Sequence, residues 1–103
     1  MSVATFLSKA EALKKKGPLA LFSGDVRLLT GQVKIDAAAI RAERMAAEKE
    51  GKPVNHCPPA SGVRMTDKDI LSAMEAVPAR NRAHTSTTQA LKAYLARRFP
   101  CPS

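Results

Sequence analysis

The sequence predicts an all-α fold, a small helical bundle of about four helices whose last two form a hairpin. Three observations carry that prediction. Apolar residues recur at three- and four-residue steps in four separate stretches, which is the spacing of one helical face. Each stretch is bounded by residues that start or stop helices. No segment alternates apolar and polar with period two, so no sheet is expected. The chain has 103 residues, the length of a single domain, and its 45% apolar content argues against wholesale disorder.

Residues 3–16 are the first helix, with Val3, Phe6, Leu7, Ala10 and Leu13 on one face and Lys9, Glu11, Lys14 and Lys15 elsewhere. Ser2 supplies an N-cap oxygen, and Gly17-Pro18 stops the helix. Residues 18–22 are too short to classify by periodicity, although Pro18 suits the opening of a helical turn. Residues 25–50 read as one long helix carrying a narrow stripe: Val26, Leu29, Val33, Ala37, Ile40 and Ala47, interrupted at Arg44. A stripe this narrow suits helix–helix packing, within the chain or across a homodimer. Gly31 costs about 1 kcal/mol relative to Ala in mid-helix, so a bend near residues 30–31 is expected as an option.

Gly51 ends the long helix, and Pro53, Pro58 and Pro59 make 51–65 an extended, proline-rich arm within the single domain 1–103. Thr66 opens the third helix, with Asp69 in the position that closes a capping box. Its buried face is Ile70, Leu71, Met74 and Val77, and Pro78 ends it. Residues 78–85 form a basic loop. Ser86 and Gln89 are a full capping box for the fourth helix, 87–99, whose apolar face is Leu91, Tyr94, Leu95 and Phe99.

The two cysteines, Cys57 and Cys101, precede and follow this helix pair. A structural disulfide, two unrelated buried thiols and a metal site are the three readings. Geometry favours the first, because in an antiparallel hairpin those two points are neighbours. Such a bond closes a loop of about 45 residues and stabilises by about 4 kcal/mol on chain-entropy grounds. It also implies an oxidising compartment, periplasmic or extracellular. Residues 1–17 are amphipathic and Lys-rich rather than an apolar signal core, so the expectation is a mature form in which Met1 stands where a signal has been removed.

No constellation for catalysis emerges. His84-Thr85-Ser86 has a hydroxyl beside an imidazole but no orienting carboxylate, and reads as a loop entering a helix cap. Cys57 beside His56 has the residue types of a cysteine nucleophile, but adjacent side chains diverge. Zinc on His56, Cys57, His84 and Cys101 matches no ligand spacing. No cofactor and no small-molecule substrate are expected, and no apolar run approaches a membrane span. The net charge of +8 makes nucleic acid a candidate partner, through Arg80, Arg82, His84, Lys92, Arg97 and Arg98. The 78–85 connection is long for a helix-turn-helix and lacks a turn glycine, so a solvated basic surface is the plainer reading. Attachment of the first helix to a membrane surface is the remaining use for that charge.

Segment 57–102 resembles the Rap/Tai family of type VI secretion amidase immunity proteins. The residues that carry the resemblance are Cys57-Pro58-Pro59, Gly62-Val63, the helix from Thr66, Pro78, Ala90-Leu91 and the closing Phe99-Pro100-Cys101-Pro102. The family is similar in being small, periplasmic and all-helical. The resemblance implies a Cys57–Cys101 disulfide and a protein that occludes the cleft of a cell-wall amidase. It covers about half of the chain; the Lys-rich first helix and residues 18–33 do not match it. The expected contacts are the basic loop residues Arg80, Arg82 and His84. The alternatives are a small periplasmic stress chaperone and a basic nucleic-acid-binding domain.

Overall fold

The computed structural model describes residues 1–102. Four α-helices run in order: α1 (Val3–Lys16), α2 (Gly24–Lys49), α3 (Asp67–Glu75) and α4 (Thr87–Arg98). Short 3-10 helices, Gly17–Phe22 and Ala79–His84, join α1 to α2 and α3 to α4. Among the described residues no strand occurs; one isolated antiparallel bridge pairs Ser2 with Ser86.

Every α-helix among the described residues starts where its sequence supplies an acceptor for orphan backbone N–H groups. The Ser2 hydroxyl accepts from the Thr5 N–H at 3.1 Å, and the Ser23 hydroxyl from the Asp25 N–H at 3.2 Å. Thr66 and Asp69 form a complete reciprocal capping box on α3, and Ser86 and Gln89 form another on α4. Gly17 ends α1 with φ of +58°, a conformation that a side chain would strain. The long helix α2 runs unbroken through Gly31. The flanking alanine-rich turns and the burial of Leu29 and Ile40 outweigh the glycine's penalty of about 1 kcal/mol.

The core lies where α1 and α3 meet α2 and α4. Met74 and Leu91 are completely enclosed, beside Val3, Phe6, Ile40 and Leu95. Each large side chain buried here contributes about 1.5–3 kcal/mol. The chain start is tied in by backbone bonds as well. The Val3 N–H donates to the Thr85 carbonyl at 2.8 Å, and the Thr87 N–H donates to the Met1 carbonyl at 2.9 Å. These two bonds fix the first turn of α1 against the start of α4.

Two local expectations are corrected. Residues 79–84 of the basic connection are not an irregular loop but a 3-10 helix. Six residues at three per turn carry no apolar periodicity to read. On α2 the buried face is Leu29, Asp36 and Ile40, while Ala37 of the predicted stripe is exposed. The stripe therefore turns by one residue toward an aspartate, for a reason that lies on α4.

Candidate functional site

The helix hairpin is closed by the disulfide between Cys57 and Cys101, whose Cα atoms are 4.9 Å apart. No free thiol remains among the described residues, so neither cysteine is available as a nucleophile or metal ligand. No group of three or more His, Cys, Asp or Glu side chains among those residues converges in a way that could hold a metal ion. The arm is laid along α4 by further bonds. The Cys57 N–H donates to the Phe99 carbonyl at 2.8 Å, and the Asn55 amide donates to the Lys92 carbonyl at 2.9 Å. His56 between them is only 4% exposed, and burial, with the nearby charge of Arg44, lowers its pKa below 6.5.

At the other end of the hairpin the 3-10 helix Ala79–His84 presents the predicted basic residues. They do not serve alike. The Arg82 guanidinium donates to the Val77 carbonyl at 2.8 Å and to the Glu75 carbonyl at 3.0 Å. It caps the C-terminal end of α3, where orphan carbonyls and the helix dipole favour a cation. Arg80 and His84 are exposed. The Thr85 hydroxyl donates to the Asn81 carbonyl at 2.8 Å, and the Asn81 N–H to the Pro78 carbonyl at 2.8 Å. With the Val3–Thr85 bond, these contacts fix the turn against the start of α1. Of the other basic residues named from the sequence, Lys92 pairs with Glu43, Arg98 lies 3.3 Å from Asp69, and the exposed Arg97 lies over the Tyr94 ring at 5.9 Å from its centroid.

Two polar clusters hold this frame, and neither was fully legible beforehand. Asp36 is fully buried and accepts from the Thr88 hydroxyl at 2.6 Å and the Gln32 amide at 2.9 Å through one oxygen. Its other carboxylate oxygen and the buried Thr87 hydroxyl have no partner within the described chain. No sequence signal separates Asp36 from a solvent-facing aspartate, because its partner lies 52 residues away. Asp69 does more than cap α3. It accepts from the Thr66 N–H at 2.8 Å and, across the hairpin, from the Tyr94 hydroxyl at 2.9 Å. The Thr66 N–H, then the Tyr94 and Thr66 hydroxyls and the Arg98 charge, bring its carboxyl down to about 2.

Large apolar side chains also stand in solvent. Leu19, Leu21 and Phe22, in the 3-10 helix between α1 and α2, are 70%, 79% and 89% exposed. Leu28, Ile35 and Met45 lie exposed along α2. An open aliphatic groove of about 560 Å³ runs between α1, α2, α3 and the arm, lined by residues including Leu13, Val33, Met65 and Leu71. The Pro-Leu-Ala-Leu-Phe run is too short for periodicity to say which way its side chains face. The signal that could have shown it is its setting, after three lysines and with no acidic residue between Glu11 and Asp25.

No family model, curated protein or solved structure matches the chain. No helix among the described residues is long and apolar enough to cross a membrane. The disulfide is compatible with an extracytoplasmic, oxidising location.

Proposed function

We propose that this chain is a non-enzymatic protein-binding module of the periplasm, an immunity protein that occludes the active-site cleft of a cell-wall amidase delivered by type VI secretion. The observation that carries the reading is the pre-organised basic turn that joins the two helices of a disulfide-closed hairpin. Its backbone is bonded at Asn81 and Thr85, its base is capped by Arg82, and Arg80 and His84 face outward. A rigid turn loses little conformational entropy on binding a cleft, so its contacts are converted efficiently into affinity. The order of cysteines, helices and closing Phe99-Pro100-Cys101-Pro102 supports the same reading. Inhibition is steric: Arg80 and His84 contact the walls of the cleft, and no residue of this chain does chemistry.

The test uses the intact, oxidised chain as bait against periplasmic extract, followed by peptidoglycan hydrolysis assays on what it captures. The expected result is a cell-wall amidase that untagged protein competes away and that stoichiometric addition of the chain inhibits. Arg80→Glu with His84→Glu should relieve the inhibition at least tenfold while leaving Tm unchanged, since both side chains are exposed. Arg82→Glu is the contrasting variant. It removes a helix cap and should lower stability by about 1–2 kcal/mol, so its effect on binding is not diagnostic. Capture of no amidase, or full inhibition by the double variant, rejects the reading.

A further inference from the structure

We propose that the connection between α1 and α2 is a membrane-surface anchor that inserts Leu19, Leu21 and Phe22 into the interfacial layer of an anionic bilayer. The inference does not rest on the immunity reading, because it uses a different connection and different residues. The turn is built to turn its large side chains outward. Pro18 fixes the backbone at its start, and the Ser23 N–H donates to the Ala20 carbonyl at 2.9 Å to close it. The small residue Ala20 is half-buried, while its three large neighbours are 70–89% exposed. Phe22, the most exposed, is the residue whose desolvation gains most.

Charge complementarity selects the occupant. Lys14, Lys15 and Lys16 immediately precede the turn, all exposed, and the Lys16 amine reaches the Ser23 hydroxyl at 3.5 Å across its base. Arg27 is exposed in the first turn of α2. The nearest acidic residue on the α2 side, Asp25, is matched by Lys9 at 3.5 Å, and on the α1 side Glu11 is matched by Lys15 at 4.0 Å. The tip is therefore apolar and its collar cationic, on a chain of net charge +8. An apolar protein pocket would satisfy the leucines and Phe22 but would leave Lys14 and Lys16 without an anionic counterpart. A bilayer bearing anionic headgroups satisfies both, the lysines at the headgroups and the apolar side chains below them.

The test is flotation of the full oxidised chain with vesicles of phosphatidylcholine, alone and with phosphatidylglycerol added. Binding is expected only to the anionic vesicles, and high salt should weaken it. The combined variant Lys14→Gln, Lys15→Gln, Lys16→Gln should bind about a hundredfold more weakly, from about fivefold per lysine at the surface. Leu21→Ser with Phe22→Ser should bind at least tenfold more weakly with an unchanged Tm, because neither side chain is in the core. The chain contains no tryptophan, so Phe22→Trp provides a single reporter whose emission should shift to the blue on anionic vesicles. Absence of binding to anionic vesicles, undiminished binding by the serine variant, or an unshifted tryptophan on bound vesicles overturns the proposal. So does sedimentation in which the wild type self-associates and the serine variant does not, since a second copy would then cover the tip.

Discussion

Asp69 and His56 give the fold two separate acid sensitivities, and the sign is the same for both. Asp69 is held down to about 2 from 3.8 by the Thr66 N–H and the Tyr94 hydroxyl. The unfolded chain therefore binds a proton that the folded chain refuses, and the stability Asp69 supplies is complete above about pH 4 and lost as pH falls toward 2. Asp69→Asn should lower Tm at neutral pH, and the gap from wild type should close between pH 4 and 2. A gap that stays constant would mean that the charge is not what matters. His56 is buried and favoured in its neutral form. It follows that stability declines as pH drops below about 6.5 and that the ring titrates below that value by NMR. Asp36 is a different case. Its Thr88 and Gln32 partners would be left without an acceptor in Asp36→Ala, which should cost about 1–3 kcal/mol. A double-mutant cycle with Thr88→Ala should show a coupling of similar size; additive effects would deny that the two side chains act as a pair.

The helices were legible to the extent that their signals are local. Ser2, Thr66 with Asp69, and Ser86 with Gln89 are caps whose donor and acceptor sit within three residues, and all of them form. Gly17-Pro18 marks the end of α1 for the same local reason. What resisted reading depends on distant chain. Asp36 is buried because Thr88 meets it, and the 3-10 helix Ala79–His84 is fixed partly by Val3. Arg82, expected from the sequence among the contact residues, also donates to the carbonyls that α3 leaves unsatisfied, a role visible only once that helix ends at Glu75. Gly31 offers the element-scale prediction. It lies inside α2 with helical backbone, and a Cβ there would meet no atom within 4 Å. Gly31→Ala should therefore raise stability by about 1 kcal/mol in denaturant melts, with an unchanged m-value. A loss of stability would show that the long helix needs its glycine for a close approach absent from this fold.

At the scale of the whole molecule, the disulfide ties down the connection between α2 and α3, which has no helix of its own. The arm between α2 and α3 is joined to α4 and its C-cap by the Asn55 side-chain amide, by the Cys57 N–H and by the bond to Cys101, 44 residues further on from Cys57. Two hydrogen bonds contribute about 1 kcal/mol each, less than the ordering of a dozen residues costs. The covalent link contributes about 4 kcal/mol, a large share of the roughly 5–15 kcal/mol typical of a domain. Cys57→Ser with Cys101→Ser should therefore lower Tm by roughly 15–30 °C for a domain of this size. Limited proteolysis should cut first within residues 52–65. The α1–α4 junction and the Ala79–His84 turn take their bonds from Thr85, Thr87 and Arg82 rather than from the arm. If the proposed reading holds, the serine variant below its lowered Tm should accordingly inhibit the captured amidase as the oxidised protein does. If inhibition instead falls in step with cleavage of the arm, the proposed surface has to be extended from the Ala79–His84 turn onto the arm.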